Sequence, residues 1–371
     1  MATLAIGSGF ALIATAANDA PVSSSRVDSA SSPFVMRPGV VVDPLAGRLY
    51  MMNPQGGIDA VEIASGKLIW RTMAAAKPLI AFQDRLLAQA EASRGASDLP
   101  LIVLDAKDGS RRATIGLPMP SGVMPTVANS LGTASSLSAA IVQGDAVIQW
   151  RFTQSHPSGV QPPPEPARTA AGAFAIDLRT FAVTTLDSQQ AAAKVNGSHA
   201  SAVAPSQLSS ASNLYIKPQR AGDFYVGVAL KSSASGISAI LERWHGTNGT
   251  PLPDIEMHGN YAASAISGDG ADFLVVTVGK NGPNGAIYTW SIYDIASGRA
   301  LAELPLSSWA PPFFVHGSSL VHESMPSTGR VGNQLVSEPL ELHGLNLSTR
   351  IEVWKRALRD TTFRGPRPPV P

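Results

Sequence analysis

The residues able to do chemistry are few and scattered. The seven histidines are His156, His199, His245, His258, His316, His322 and His343. No pair has the H-E-x-x-H spacing that places two imidazoles on one helix face, and there is no cysteine to supply a thiolate. A zinc site would therefore need ligands converging from distant parts of the chain. His316 and His322 flank a predicted hairpin tip, Gly317-Ser318-Ser319, and could approach each other across an antiparallel pair. Solvent-exposed strand ends are the simpler reading of both. Asp269-Gly270-Ala271-Asp272 comes nearest to an oxygen-rich cation loop but reads as a hairpin turn. Glu303, Glu323, Glu338 and Glu341 gather late in the chain, where a carboxylate pair could act as acid and base. Each falls where the solvent face of a strand would be polar. There is no Gly-x-Ser-x-Gly elbow and no phosphate loop. Gly7-Ser8-Gly9 and Gly279–Gly285 are glycine-rich, but neither leads into a helix whose N-terminus could hold phosphate. The sequence thus assigns no catalytic, cofactor-binding or metal-binding residue and implies no cofactor.

Composition narrows the classes further. The chain has 371 residues, with 28 Lys+Arg against 27 Asp+Glu, a net charge of +1 that gives no basic surplus for nucleic acid. The 44% hydrophobic content supports a core. Gly and Pro, 33 and 29, are too frequent for a helical bundle. The lack of cysteine removes disulfides, thiolate chemistry and a lipid-modified N-terminal cysteine.

Leu4 to Ala17 is an apolar run too short to cross a bilayer as a helix, and it fits the apolar region of a signal peptide. Ala14-Thr15-Ala16 resembles a cleavage site, although no positive charge precedes the run. A pair of short strands or an uncleaved anchor are the other readings. The expected organisation is a signal-like N-terminus and Ser-rich linker over 1–34, a repeat region over 35–359 and a Pro/Arg-rich tail over 360–371, in a protein exported to the periplasm or another extracytoplasmic space.

The repeat decides the fold. In residues 47–72, GRLYMMNPQGGIDAVEIASGKLIWRT, two strands joined by turn chemistry are followed by Ser65-Gly66 and a third strand ending at Trp70. Equivalent turns fall at Gly109, Phe181, Gly249, Gly298 and Arg350, each preceded by further β-rich runs. The shorter intervals between turns, 43, 49 and 52 residues, match one four-stranded propeller blade each. Only Asp84–Ala92 and Gln189–Val195 have weak helical character. The expected fold is an all-β propeller of four-stranded antiparallel blades. Six blades are countable, and a seventh or eighth could be assembled from the N-terminal segment, 119–134 and 189–213. A strand from one terminus completing the blade at the other would protect the sheet edges.

The run DAVEIASGKLIWRT resembles the blade signature of the quinoprotein-like (PQQ-like) β-propellers, with YDIASGRALAEL and LNLSTRIEVWKRAL as weaker copies. The resemblance implies that Gly66, Gly109 and Gly298 are turn residues and that Trp70 and Trp354 pack between neighbouring blades. It does not imply quinone chemistry, because the adjacent cysteines and calcium ligands of those dehydrogenases are missing. The nearest analogue by resemblance is the family's non-catalytic outer-membrane assembly scaffold, a lipoprotein, whereas this chain has no cysteine to lipidate.

Two proline-rich appendages and a second hairpin insertion remain. Residues 155–171 hold Pro162-Pro163-Pro164, Glu165 and Arg168; residues 326–339 hold Arg330; the tail holds Arg364 and Arg367. Pre-extended proline segments order cheaply against a partner. Pro163, Glu165, Arg168, Arg330, Arg364 and Arg367 are therefore the candidate partner-binding residues. The function expected is a non-catalytic assembly or interaction subunit that contacts a protein, such as a membrane-bound complex on its extracytoplasmic side, without a transmembrane span of its own. The alternatives are a hydrolase or lyase with a site in the central funnel, or a carbohydrate or small-ligand binding module.

Overall fold

A computed structural model describes residues 33–91, 96–127, 133–154, 168–198, 214–233, 236–246, 249–257, 262–282, 285–306, 310–324, 328–331, 334–337 and 340–359. These build six antiparallel sheets that follow one another along the chain. Blade 1 comprises β1 (Phe34–Arg37), β2 (Val40–Asp43), β3 (Arg48–Met52), β4 (Ile58–Glu62) and β5 (Leu68–Thr72). Blade 2 is β6 (Lys77–Phe82), β7 (Arg85–Gln89), β8 (Asp98–Asp105) and β9 (Arg111–Pro118). Blade 3 is β10 (Thr133–Val142), β11 (Asp145–Gln154), β12 (Arg168–Asp177) and β13 (Val183–Leu186), followed by the helix α1 (Ser188–Ser198). Blade 4 is β14 (Leu214–Ala221), β15 (Phe224–Ser233), β16 (Gly236–His245) and β17 (Pro251–Met257). Blade 5 is β18 (Ala262–Gly268), β19 (Phe273–Gly282), β20 (Gly285–Asp294) and β21 (Ala300–Pro305). Blade 6 is β22 (Phe313–His316) and β23 (Ser319–Glu323), then β26 (Glu341–Asn346) and β27 (Ile351–Ala357). A separate hairpin, β24 (Thr328–Val331) and β25 (Gln334–Ser337), is inserted between β23 and β26. The chain is an all-β propeller.

Several expectations change at this point. Of the stretch Asp84–Ala92, the described residues 84–91 are not helical, because Leu86, Leu87 and Ala88 pair into β7 and are fully buried there. Of the material set aside for extra blades, 119–127 forms no strand, 188–198 is α1, and 199–213 lies outside the described residues. Among the described residues neither terminal blade takes a strand from the other end of the chain, since β1–β5 and β22–β27 are each local. Blade 1 instead has a fifth strand, β1, laid against β2.

β2 packs on β6, β6 on β10, β14 on β18 and β18 on β22, so the first strands of these sheets line the inside of the ring, with β1 beside β2. The blades pack through apolar faces, as period-2 strands buried on both sides must. One cluster joins blades 2 and 3 through Leu87, Val103, Ile148 and Phe174, and another joins blades 4 and 5 through Leu241 and Val276. Blades 6 and 1 share Val61, Ile63, Phe314 and Trp354. Two more clusters join 1 to 2 and 5 to 6. Among the described residues no such cluster joins blade 3 to blade 4.

The six turns share one geometry. The amide of Gly66, Gly109, Phe181, Gly249, Gly298 and Arg350 donates to the carbonyl four residues back, at 2.6–2.9 Å. All six have φ between +61° and +76°, a region that glycine enters without steric cost. The carbonyl three residues before the turn is left pointing at the preceding blade, and at four of the six turns a side chain from that blade binds it among the described residues. Trp354 Nε1 donates to Ile63 O and Trp70 Nε1 to Ala106 O, both at 2.9 Å. Arg243 Nη1 donates to Ile295 O at 2.5 Å, and Arg85 Nη1 makes a long contact with Leu178 O at 3.5 Å. Each indole lies flat against the turn glycine. A Cβ on Gly66 would sit 2.4 Å from Trp354 Cγ, one on Gly109 2.6 Å from Trp70 Cε3, and one on Gly298 2.5 Å from Arg243 Nη2.

Candidate functional site

Most carboxylates near the turns are committed to holding them. Asp105 Oδ1 accepts from the Lys107 amide, Asp177 Oδ1 from Arg179 and Thr180, and Asp294 Oδ1 from the amide and hydroxyl of Ser297. The Arg112 guanidinium on Asp105, the backbone amides on Asp177 and the Ser297 hydroxyl on Asp294 hold these carboxyls below their usual range. They are ionised turn caps and not poised acids. Asp269 Oδ1 likewise accepts from the amides of Ala271, Asp272 and Phe273, which closes the β18–β19 turn.

His156, His199 and His258 lie outside the described residues. His316 and His322 do not meet, because the β22–β23 register pairs His316 with Ser319 and His322 with Phe313, at opposite ends of the two strands. The expected exposed strand end is wrong for His322. Its ring stacks on His343 at 5.1 Å and meets Trp290 of blade 5 edge-on at 4.9 Å. Burial, with the neighbouring His343 adding to it, lowers His322 to about 4, so it is a neutral packing ring. His343 Nδ1 lies 2.6 Å from Glu352. No group of three metal-ligating side chains occurs among the described residues.

The densest unused polar chemistry sits at one end of the inner strands. Arg37 ends β1, Lys77 begins β6, Gln89 ends β7 and Glu323 ends β23. The expected solvent-facing role of Glu323 does not hold, because its side chain is 11% exposed and lies 2.6 Å from Arg37 Nη1. The reason is β1, which carries Arg37 inside blade 1 to the edge of blade 6. Lys77 is 3% exposed, and burial, with the Arg37 charge adding to it, holds its ammonium down to about 8. Gln89 is fully buried, directly opposite Lys77 in register, and its Nε2 donates to Pro125 O at 2.9 Å. The C-terminal strand leaves at this same end, where the Arg359 amide donates to Met52 O at 3.1 Å and its guanidinium pairs with Glu91. No sequence motif marks this cluster, because its members come from blades 1, 2 and 6.

At the opposite end, a shallow cavity of about 300 Å³ is lined by Arg48, Glu62, Ile63, Ile69 and His316. Arg48 is already engaged there, with Nη1 donating to Ala106 O at 2.6 Å.

On the outer rim, two adjoining blades differ from the rest. The outermost strands β5 and β27 expose Leu68, Ile69, Ile351 and Val353, and Ile351 is 64% exposed. Met73, just past β5, is 70% exposed. On β9 the exposed positions include Arg111 and Arg112, and on β17 Pro251, Pro253, Asp254 and Glu256. Arg356 Nε donates to Gly66 O at 2.6 Å and ties β27 to the turn that precedes β5. Of the partner-binding candidates, Arg168 is exposed at the start of β12 beside Gly122, and Arg330 lies on β24. Pro163, Glu165, Arg364 and Arg367 lie outside the described residues. No helix among the described residues is long and apolar enough to cross a membrane.

No protein-family profile and no curated protein matches the chain. Among solved structures, it is similar to the computationally designed Ika8 protein, at 11% identity, 90% coverage of both chains and a TM-score of 0.33. It is also similar to quinohemoprotein alcohol dehydrogenase from Comamonas testosteroni, at 9% identity, 91% of this chain, 68% of that one and a TM-score of 0.29. A third is the β-propeller domain of the Trilobed protease from Pyrococcus furiosus, at 10% identity, 72% of this chain, 67% of that one and a TM-score of 0.23. At these identities and scores the likenesses carry no argument about chemistry.

Proposed function

We propose that the chain is a non-catalytic interaction subunit of the PQQ-like propeller type, docking a protein partner on the rim of blades 6 and 1. The observation that carries this is the exposed apolar pair of edge strands, β5 and β27. An outermost strand presents unpaired backbone groups along one edge, and apolar side chains there invite pairing with another chain. Of the other outer strands, β9, β17 and β21 carry charge or proline at exposed positions and β13 exposes threonines, whereas β5 and β27 add exposed branched aliphatics beside their charges Arg71, Glu352 and Lys355. Arg168, Arg330, Arg364 and Arg367, with Pro163 and Glu165, would extend the contact from the appendages. With the signal-like N-terminus, the partner belongs to the extracytoplasmic side of a membrane-bound complex.

The test is affinity purification of full-length tagged protein from native membranes, beside an Ile351→Glu/Val353→Glu variant. Both residues are exposed, so the variant keeps its unfolding temperature. The expected result is a stoichiometric protein partner retained at moderate salt by the natural chain and lost by the variant. Recovery of both proteins alone and monomeric would overturn the reading.

A further inference from the structure

The two apolar outer strands are not straight ladder edges. On β5, Trp70 pairs with Ala60 and Leu68 with Val61, so Ile69 is an extra residue without a partner across the ladder. On β27, Trp354 pairs with Gly344 and Glu352 with Leu345, which leaves Val353 in the same position. Ile69 is 40% exposed and Val353 51%, whereas the extra residue on β9 is Arg112. A bulge breaks the regular spacing of donors and acceptors that an added strand has to match. A strand also pairs with one edge only. The blades pack face to face, and facing sheets lie roughly 10 Å apart. The edges β5 and β27, tied through Trp354 and Arg356 to Gly66, therefore border a furrow about as wide as an α-helix. Cations stand beside it. Lys67, just before β5, is exposed and pairs with no carboxylate among the described residues. Arg350, exposed just before β27, has its guanidinium on the carbonyl of Leu301. The nearby acids are engaged, Glu352 by His343 and Glu62 by the Ser65 hydroxyl.

We infer that this furrow takes an amphipathic α-helix of the partner, with its apolar stripe on Ile69 and Val353 and acidic residues beside the stripe that reach Lys67 and Arg350. The inference rests on the docking reading above and names the element that docks: a helix, not an added strand. A helix touches both strands at once through residues three and four apart. Leu68 and Ile351 widen the apolar border it meets. An extended segment would reach one edge and run into its bulge.

Full-length tagged protein carrying a photoreactive phenylalanine analogue at Leu68 or at Val353 is irradiated in native membranes, and the cross-linked partner residues are read by mass spectrometry. Both positions are expected to mark one partner segment, at residues three, four or seven apart, with Asp or Glu beside them. Lys67→Glu should cut the recovered partner about fivefold while keeping the unfolding temperature. Lys355→Pro tests strand addition directly. The Leu358 amide donates to Leu340 O, and counting back along the β26–β27 register turns the Lys355 N–H away from β26. Proline there removes an outward donor and no ladder bond, so recovery of the partner should not change. Loss of the partner in Lys355→Pro, or cross-links two residues apart, would mean an added strand; the helix would be overturned and the docking surface would stand. No cross-linked protein from either position would overturn the docking surface itself, and the helix with it.

Discussion

The seam between blades 6 and 1 and the junction between blades 3 and 4 lie in different parts of the ring and are built differently. At the first, Trp354 fills the space over Gly66, binds Ile63 O, and sits in a cluster drawn from both blades. At the second, the corresponding carbonyl of blade 4 belongs to Gly246, three residues before Gly249, and among the described residues no side chain from blade 3 binds it. Nor does an apolar cluster span the two blades there. Blade 3 instead packs α1 against its own strands, through Ala191 and a Lys194–Asp145 ion pair. The same turn serves both places, so the difference lies in the side chain supplied by the preceding blade. A turn repeat specifies a blade; at four of the joints an indole or guanidinium from the neighbouring blade reaches the turn's carbonyl.

The comparison breaks most sharply at Trp354. Trp354→Ala removes a buried indole and leaves Ile63 O without its donor, and is expected to cost about 3–5 kcal/mol. Denaturant unfolding measures the loss. Hydrogen exchange should then show the strands of blades 6 and 1 opening as readily as those around the 3–4 junction. If the variant keeps the natural protein's stability, the seam is not what holds the ring.

Acid should loosen a second place, between blades 5 and 6. His322 titrates near 6.5 when unfolded and near 4 when folded, so its contribution is full above pH 6.5 and fades as pH falls toward 4. Between pH 7 and 5 the loss is about 2 kcal/mol. Unfolding curves across that range should show it, and His322→Phe should flatten the slope. An unchanged slope would mean that His322 is charged in the folded protein.

The smallest effect belongs to the weak joint. Lys194→Ala breaks a half-exposed ion pair and should cost no more than about 1 kcal/mol, less at high salt. A loss comparable to that of Trp354→Ala would show that α1 is the real closure on that side.

The blades were legible because their signals are local. A turn residue with positive φ and an alternating strand on each side lie within about twenty residues, and ASGK at Gly66 and ASGR at Gly298 announce themselves. Phe181 and Arg350 occupy the same left-handed position without glycine. Their turns could still be placed because the flanking strands keep their pattern. The inner-end cluster was not legible. Arg37, Lys77, Gln89 and Glu323 look like ordinary strand-end polar residues, and only ring closure brings them together. β1 was missed for a related reason: nothing in Phe34–Arg37 says that it will sit inside a blade already complete with four strands. Arg243 reads as a surface cation on a strand, yet it is 1% exposed, and its guanidinium does for blade 5 what an indole does for blades 1 and 2.

Each terminal blade takes its described strands from one region of the chain, blade 6 with a hairpin inserted, and this orders events during synthesis. Blade 1 can finish as a sheet while the rest is still being made. Among the described residues, blade 6 takes no strand from the beginning of the chain. The last step is then the docking of two completed surfaces, Trp354 onto Gly66, and not the threading of a strand into a waiting edge. A ring closed in this way has no privileged cut, so chain ends moved by circular permutation to another inter-blade loop would leave every sheet intact.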